Sequence, residues 1–376
     1  MLQNTPSSKP FAAFAPVIIV AFAIVTLASC HLTTEKPVTA KEADDFAKKI
    51  ENSVAKESPV LLNNIVDAQQ FGIRVLQKAG QRFNLSLDKS AQTALTGLRL
   101  GDVVMQAIHN GGTYRLLRRY EKDGHQHLIF RLLADGGLNY HDFELVNTKT
   151  GVKAIDMYTY ASGDFVSDAV TNELTLDKDT RDLTGDEKES ADLLKSMRQY
   201  LKGGNPDEAN DYYNQASDKE KKQLLFQKLH LRIAEKQGDS SLRVAQQEYK
   251  TDFPDDAFIY LSIFMSSAGH QDFTQALTAL NRFDQYMHDP FLDYYRGMLY
   301  KTLNDPAASS IALERLHAEW PTFGPVIVQL IDNHCKAGHP DSAAMLVKEA
   351  ENLKNITPEQ LASVEKAYPA VVPYLK

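Results

Sequence analysis

The sequence predicts two folded regions of different class. The first is an α+β domain, in which helices precede a four-stranded antiparallel meander, and the second is an all-α region of repeated helical hairpins. Apolar residues recur at helical spacing before residue 110 and again after residue 189. Four runs between residues 113 and 161 have strand composition and are separated by short turns. From residue 204 onward, glycine or asparagine turns recur every 31 to 35 residues.

An apolar run lies near the amino terminus. It spans residues 11–27 and ends in Leu27-Ala28-Ser29-Cys30. A short polar start followed by such a run has the anatomy of a signal peptide, expected over residues 1–29. The closing motif resembles the lipobox of bacterial lipoproteins. This resemblance implies cleavage before Cys30 and a lipid on its thiol, and the alternative is an uncleaved anchor.

The lipidated Cys30 implied by this resemblance would attach the mature chain permanently to a membrane, because each buried methylene contributes about 0.8 kcal/mol. His31 and Leu32 follow it, so the Asp that some bacteria use for inner-membrane retention is absent. We therefore expect the outer membrane, and because Glu35 is the one acidic residue nearby, the periplasmic face is favoured over the cell surface. Residues 30–40 would form the lipidated cysteine and a tether.

The composition is that of an ordinary globular protein. The net charge of −8 over 376 residues argues against a nucleic-acid partner. We expect the α+β domain at residues 41–176, a charged linker at 177–188, the repeats at 189–353, and a capping helix and tail at 354–376. Cys335 is the second of two cysteines. It is expected to be a buried thiol on a helix, not a nucleophile.

Three helices and four strands are predicted in the α+β domain. The helices cover Ala43 to Ala55, Val60 to Ala79 and Ser90 to His109, with Ser90 as the cap of the third. The strands cover Thr113 to Tyr120, His125 to Leu133, Leu138 to Val146 and Val152 to Ala161. Because side chains alternate along a strand, eight apolar side chains should lie on the face of the sheet that packs on the helices: Leu116, Leu128, Phe130, Leu132, Phe143, Leu145, Ile155 and Met157.

The opposite face of this sheet should be polar, and it holds a candidate ligand-facing cluster of Arg131, Tyr140, Asp142, Asp156 and Tyr158. Hairpin register is expected to place Asp142 near Asp156, with Arg131 beside them. Two close carboxylates can share acid and base roles. The alternative is a solvated or partner-covered face whose charges pair across strands. Helices on one side of such a sheet resemble, in architecture alone, the cone folds of nuclear-transport-factor-like domains, which host both enzymes and binding modules.

Histidines offer a weak metal signal. His125 and His127 point the same way on one strand, but two imidazoles without a third ligand make a poor site. His141 lies on the apolar face and is expected to be a core histidine. The sequence contains no phosphate-cradling glycine loop, nucleophile elbow, helical zinc motif or paired-cysteine site, so we predict no cofactor and no metal.

The all-α region contains two interleaved series of turns. The first series comprises Gly204-Asn205-Pro206, Gly238-Asp239-Ser240, Gly269-His270-Gln271, Asn304-Asp305-Pro306 and Gly338-His339-Pro340. The second is marked by Pro254, Pro290, Pro321 and Pro358. This pattern resembles the tetratricopeptide repeat, a pair of antiparallel helices of about 34 residues. Small residues expected at close helix contacts are Ala209, Ala245, Ala276 and Ala343. The early tryptophan of that family is missing from most units, which leaves the repeat count open by about one.

The anchor and the repeats together predict a lipid-anchored scaffold of the cell envelope that binds an unidentified envelope protein. A stacked helical solenoid presents a long surface on which an extended segment or a helix of a partner can lie. Two alternatives stay open: a glycan- or nutrient-binding lipoprotein of the starch-utilisation type, and an enzyme that uses the polar sheet face.

Overall fold

The computed structural model describes residues 36–81, 84–134, 137–175, 185–353 and 357–375. The predicted signal peptide, the motif Leu27 to Cys30 and most of the predicted linker lie outside these ranges. Residues from Pro37 onward form one compact unit. Within the described ranges, no helix combines the length and the apolar character needed to cross a membrane.

In the described ranges, five helices precede the sheet: α1 Ala40–Ala55, α2 Val60–Asn63, α3 Ala68–Lys78, α4 Leu85–Gly97 and α5 Leu100–His109. Thr39 begins α1 with a capping box completed by Glu42. The single helix predicted from Val60 to Ala79 is wrong, because Val66 forms a parallel bridge with Ala154 and the chain resumes helical structure only after the cap Asp67.

The helix predicted from Ser90 to His109 is also two helices. Arg99 separates them with φ of 45°, a left-handed conformation that a continuing helix cannot contain. The cap is Asn84, whose side chain accepts a hydrogen bond from the backbone N–H of Leu87, and Ser90 lies inside α4. Which residue caps a helix depends on the local backbone conformation, and the spacing of apolar residues does not reveal that conformation.

The predicted meander is confirmed. Its strands are β1 Thr113–Lys122, β2 His125–Ala134, β3 Gly137–Thr148 and β4 Gly151–Thr159, followed by a two-residue β5, Asp164–Phe165, and the helix α6, Val166–Leu174. The strand order is β1-β2-β3-β4-β5 and the neighbours are antiparallel.

Seven of the eight side chains predicted for the apolar face pack with the helical layer, among them the fully buried Leu128, Phe130 and Phe143. Ile155 is the exception. The β3–β4 register shifts after Glu144, which leaves Ile155 without an opposite residue. A one-residue bulge changes the face of a side chain and leaves no trace in the alternation pattern.

The region after the sheet is a tetratricopeptide-like solenoid of helical hairpins. Its paired helices are α7 Gly185–Lys202 with α8 Pro206–Gln215, α10 Leu224–Gln237 with α11 Asp239–Asp252, α12 Ala257–Gly269 with α13 Phe273–Met287, α14 Leu292–Thr302 with α15 Pro306–Glu319, and α16 Gly324–Lys336 with α17 Pro340–Ala350. The short α9, Asp218–Lys221, follows the first hairpin, and α18 Pro358–Ala367 and a 3₁₀ helix, Pro369–Tyr374, follow the last.

Both series of turns lie where the sequence places them. The glycine and asparagine turns join the two helices of a hairpin, three of the prolines lie between hairpins, and Pro358 begins α18. The four alanines predicted at close contacts are all fully buried. α7 begins at Gly185, four residues before the predicted start of the repeats. Cys335 is half-buried on α16, and burial raises the pKa of its thiol.

The solenoid packs directly on the second face of the sheet. Ile129, Leu138 and Tyr140 share one apolar cluster with side chains of α10, α12, α13 and α14, including Ile259 and Phe283. The sheet therefore lies between two helical layers, α1 to α6 on one side and the solenoid on the other. This packing positions Arg131, Tyr140 and Tyr158 of the candidate site.

Candidate functional site: the polar sheet face and the cavities beside it

Asp289 lies at the centre of the contact between the polar sheet face and the solenoid. Its carboxylate, 1% exposed, accepts hydrogen bonds from Arg131 Nη1 at 2.6 Å, the Tyr140 hydroxyl at 2.7 Å and the backbone N–H of Phe291 at 3.0 Å. Burial and the nearby Asp289 raise the pKa of Tyr140. Arg131 and Tyr140 of the predicted cluster are thus brought together, and their partner is a carboxylate of the solenoid.

Cations of the sheet stack on aromatic rings of the turns between hairpins. The Arg115 guanidinium lies 4.1 Å from the centre of the Trp320 ring, and that of Arg131 lies 4.3 Å from the Phe291 ring. The two arginines are directly opposite each other on β1 and β2. Such cation–π contacts stabilise a charge that would otherwise lack water.

Asp142 binds within the sheet. Its Oδ1 is 3.0 Å from His127 Nδ1, and its Oδ2 accepts a hydrogen bond from the Tyr120 hydroxyl. Burial, followed by the effect of Asp142, raises the pKa of Tyr120. His127 stacks on the Tyr120 ring with 4.8 Å between ring centres. The carboxylate orients the imidazole as in an acid–base pair, but both residues are buried beneath the solenoid.

Asp156 belongs to a different group of side chains. It is fully buried, and it accepts hydrogen bonds from the Ser167 hydroxyl and from the Ser167 backbone N–H at 3.1 Å. Arg74 of α3 lies 3.9 Å away and binds Glu144 through both terminal nitrogens. Burial raises the pKa of Asp156, and the Ser167 hydroxyl offsets part of that rise. Burial opposes ionisation of Glu144 as well, but the Arg74 guanidinium outweighs it and lowers the pKa of that carboxyl.

The register separates the two carboxylates that the sequence was expected to bring together. Asp142 is opposite Tyr158, whereas Asp156 is opposite Glu144. Tyr158 points to the solenoid, where its hydroxyl is 3.5 Å from Asp256 Oδ1. The five predicted residues therefore do not form one cluster. Arg131, Tyr140 and Tyr158 face carboxylates of the solenoid, whereas Asp156 binds Ser167 of α6 in the first helical layer.

Sequence reasoning missed the ion pairs between the sheet and the solenoid, above all those of Asp289 and Asp164. Asp164 of β5 binds Lys228 Nζ at 2.9 Å and the Arg232 guanidinium, both from α10. Asp289 precedes Pro290 in a turn between hairpins, and the sequence offers no signal that this turn meets the sheet. Such pairs span 64 to 158 residues, so only the tertiary fold reveals them.

The histidines of the sheet have polar partners within the fold. His141 is buried in the core with its Nδ1 3.2 Å from the Tyr114 hydroxyl and its Nε2 3.3 Å from Asn139 Nδ2. Burial lowers its pKa to about 4. His125 is half-buried, with its Nδ1 3.7 Å from Glu144 Oε1, whereas His127 is buried beside Asp142. Within the described ranges, no group of three or more His, Cys, Asp or Glu side chains is arranged to hold a metal ion.

Two cavities lie next to the helix α6. One, of about 400 Å³, is lined by residues of α2, α4, α5, α6 and the end of β4, and most of its lining is aliphatic. The other, of about 320 Å³, lies between α6, α7 and α10 and is lined by four cationic side chains. A third cleft of about 600 Å³ separates the β2–β3 turn from α10 and α12.

The second helices of the hairpins carry exposed apolar side chains. Val244, Ile311 and Met345 are 55%, 54% and 74% exposed on α11, α15 and α17. They are 67 and 34 residues apart, which are two repeats and one repeat, so they occupy the same position in their hairpins. In the third hairpin this position holds the exposed Thr278. We call these three side chains the outer apolar row.

Comparisons with known proteins give partial matches. No protein-family model and no curated protein matches the chain. The solved structure of MamA AMB-1 is 15% identical with a TM-score of 0.37, and the match covers 48% of this chain and 99% of that one. PilW, described as a widely conserved type IV pilus biogenesis factor, is 14% identical with a TM-score of 0.31, and the match covers 51% of this chain and 91% of PilW.

Proposed function

We propose that this protein is a lipid-anchored scaffold of the bacterial cell envelope that binds other proteins through its tetratricopeptide-like solenoid. The observation that carries the proposal is the outer apolar row. A single exposed apolar residue is ordinary on a protein surface, but Val244, Ile311 and Met345 recur at one repeat position. A partner helix or extended segment that crosses the hairpins would meet each of them in turn.

The partner would not bind to the first helices of the middle hairpins. Those helices, α10, α12 and α14, contribute to the apolar cluster that covers the sheet. Their surface is already occupied by Ile129, Leu138 and Tyr140. The exposed faces of the second helices α11, α15 and α17, which carry the outer apolar row, are surfaces that the sheet leaves to another protein.

Site-specific photo-crosslinking tests the partner surface in living cells. A photoreactive amino acid at Met345 or Ile311 of the full chain should yield one discrete crosslinked species. The matched control is Lys149, which is exposed on the β3–β4 turn. Identical patterns from Met345 and Lys149, or no crosslinked protein from either repeat position, would contradict the proposed surface.

The lipid anchor rests on the lipobox and needs its own test. Metabolic labelling with an alkyne fatty acid should tag the chain at Cys30, and Cys30→Ser should lose the tag and accumulate as an unprocessed precursor. Cys335→Ser is the matched control, because it removes the second cysteine and keeps the Cys30 thiol. A tag that persists in Cys30→Ser would overturn the anchor. Density-gradient fractionation then separates outer-membrane placement, which we propose, from inner-membrane placement.

The glycan-binding alternative stays a prediction, and calorimetric titration with oligosaccharides tests it. The enzyme alternative requires access to the polar sheet face. Arg131, Tyr140 and Asp142 are each at most 7% exposed. A substrate could reach them only if the solenoid moved away from the sheet.

A further inference from the structure

The aliphatic cavity beside α6 is built for a hydrocarbon. Of the nineteen residues that line it, fourteen are apolar, and Phe165 supplies the one aromatic ring. Its volume of about 400 Å³ lies within the range of ligand sites. A sugar or a nucleotide would find few hydrogen-bonding groups there. A flexible alkyl chain would satisfy such a lining by burying its methylenes.

The polar groups of this cavity are already engaged. Asn63 Oδ1 accepts a hydrogen bond from the backbone N–H of Gly101 at 2.7 Å. Asp164 is neutralised by Lys228 and Arg232. Leu98 and Val103, by contrast, line the same cavity and are 45% and 52% exposed. The unfavourable contact at this cavity is therefore between aliphatic side chains and water, and an apolar occupant would remove it.

The second cavity beside α6 favours an anion. Its lining contains four cations, Arg198, Lys202, Lys228 and Arg232, and two carboxylates, Asp164 and Glu173, a local charge of +2. The whole chain, by contrast, has a net charge of −8. Anionic ligands would be attracted to this positive site.

Arg198 is the cation with the least compensation. It donates a hydrogen bond to Asn172 Oδ1 at 3.0 Å, and no carboxylate in the described part of the chain forms an ion pair with it. Burial and the neighbouring Arg232 lower the pKa of its guanidinium. Lys202 and Arg232 each have a carboxylate partner. An acid group placed at Arg198 would supply the missing charge.

The two cavities meet at α6. Both are lined by Asp164, Ala169 and Glu173. Ala169 is exposed and has the smallest side chain of the three. We propose that the paired cavities bind an anionic amphiphile with a long acyl chain. The chain lies in the aliphatic cavity, passes Ala169, and places its acid group beside Arg198 and Arg232.

Photoaffinity labelling of the full chain tests the binding of the acyl chain. The protein is placed in nanodiscs of phosphatidylcholine, and the probe is palmitic acid with a diazirine at mid-chain. Irradiation and peptide mapping should find saturable labelling of α4, α5 and α6. Ala169→Trp, which fills the passage, should reduce this labelling at least tenfold. Ala307→Trp is the matched control, since Ala307 is an exposed helical alanine that lines none of the three cavities.

Arg198→Gln tests the acid group. Loss of a charge-assisted hydrogen bond of ordinary strength should weaken competition by unlabelled palmitate about tenfold. Arg243→Gln removes an exposed arginine of α11 and should leave competition unchanged. Competition by palmitate alone would identify a free acid as the source of the chain. Competition by phosphatidylglycerol in the nanodisc would identify a membrane lipid, and both outcomes support the site.

Two results would overturn the proposal. The first is labelling that is undiminished in Ala169→Trp, when circular dichroism shows the native helix content. The second is unchanged competition in Arg198→Gln, which decides the matter even if Ala169→Trp fails to fold. Labelling spread over the outer apolar row without saturation would also overturn it, because that pattern indicates adsorption. None of these results bears on the scaffold proposal, whose test uses Met345 and Ile311.

Discussion

Removal of the Asp289 carboxylate should weaken the contact between the sheet and the solenoid more than any other single side-chain truncation on the polar face. Asp289→Ala leaves the Arg131 charge and the Tyr140 hydroxyl without their partner, and both are at most 7% exposed. Breaking a buried ion pair from one side typically costs about 3–5 kcal/mol, because the remaining charge is uncompensated. Arg131 keeps its stacking on Phe291, so we expect a loss of about 3 kcal/mol in the free energy of unfolding.

The single tryptophan makes this prediction measurable. Trp320 lies over Arg115 at the contact between sheet and solenoid, so its fluorescence reports on that contact. Urea unfolding of the full chain in a non-ionic detergent should show a lower midpoint for Asp289→Ala, with the fluorescence transition preceding the loss of helical circular dichroism. The matched control is Asp305→Ala, which removes a helix cap at the exposed start of α15 and should cost about 1 kcal/mol.

A double variant tests whether the unpaired Arg131 charge causes the loss of stability. If Arg131→Met is added to Asp289→Ala, the buried charge disappears and part of the lost stability should return. A loss for Asp289→Ala no larger than that for Asp305→Ala, or no recovery in the double variant, would refute the view that a buried ion pair joins the two layers.

Three further outcomes follow from the packing. His141 has a pKa of about 4 in the fold against about 6.5 unfolded, so the unfolded chain binds a proton that the native state lacks, and stability should fall by up to about 3 kcal/mol as pH drops from 6.5 to 4. Urea unfolding measured across this range should give a slope of the unfolding free energy against pH that is smaller in His141→Gln by the equivalent of about one proton. An equal slope in the variant would contradict the lowered pKa of His141. Gly101→Ala would place a Cβ 2.1 Å from the Pro59 carbonyl oxygen and should cost at least about 2 kcal/mol in urea unfolding, whereas Gly97→Ala meets nothing within 4 Å and should not destabilise. A chain that ends at Glu187 would expose the sheet face that contains Tyr140, so size-exclusion chromatography should show aggregates, and a stable monomer would contradict the shared core.

The fold could be predicted where short-range patterns determine it. Strand alternation and the turns gave four strands within a few residues of their observed bounds, because a sheet with one buried face enforces period two. The repeat turns gave the hairpins, because glycine, asparagine and proline favour the backbone conformations found where the chain reverses. The divided helices at Val66 and Arg99 were missed because a bridge and a left-handed residue interrupt an otherwise continuous apolar pattern.

The candidate site was predicted less well than the fold. The polar alternation of β3 and β4 indicated a second face, on which Tyr140 and Tyr158 make polar contacts. It could not indicate that Tyr158 would bind Asp256 or that Arg131 would bind Asp289, since both partners lie more than 90 residues away in the solenoid. A polar strand face is compatible with water, a substrate or another domain, and only long-range packing decides among them.

The position of the cavities connects the two proposals. α6 belongs to the first helical layer, and the basic cavity beside it also touches α7 and α10 of the solenoid. An acyl ligand with its acid group at Arg198 would therefore contact both layers and bind only when they are assembled. At one hundred times its dissociation constant such a ligand would stabilise the native state by about 2.7 kcal/mol. This is close to the stability that Asp289→Ala should lose, so palmitate should restore much of that variant's urea midpoint. A midpoint unchanged by saturating palmitate would show that occupancy of the cavity is independent of the contact between sheet and solenoid.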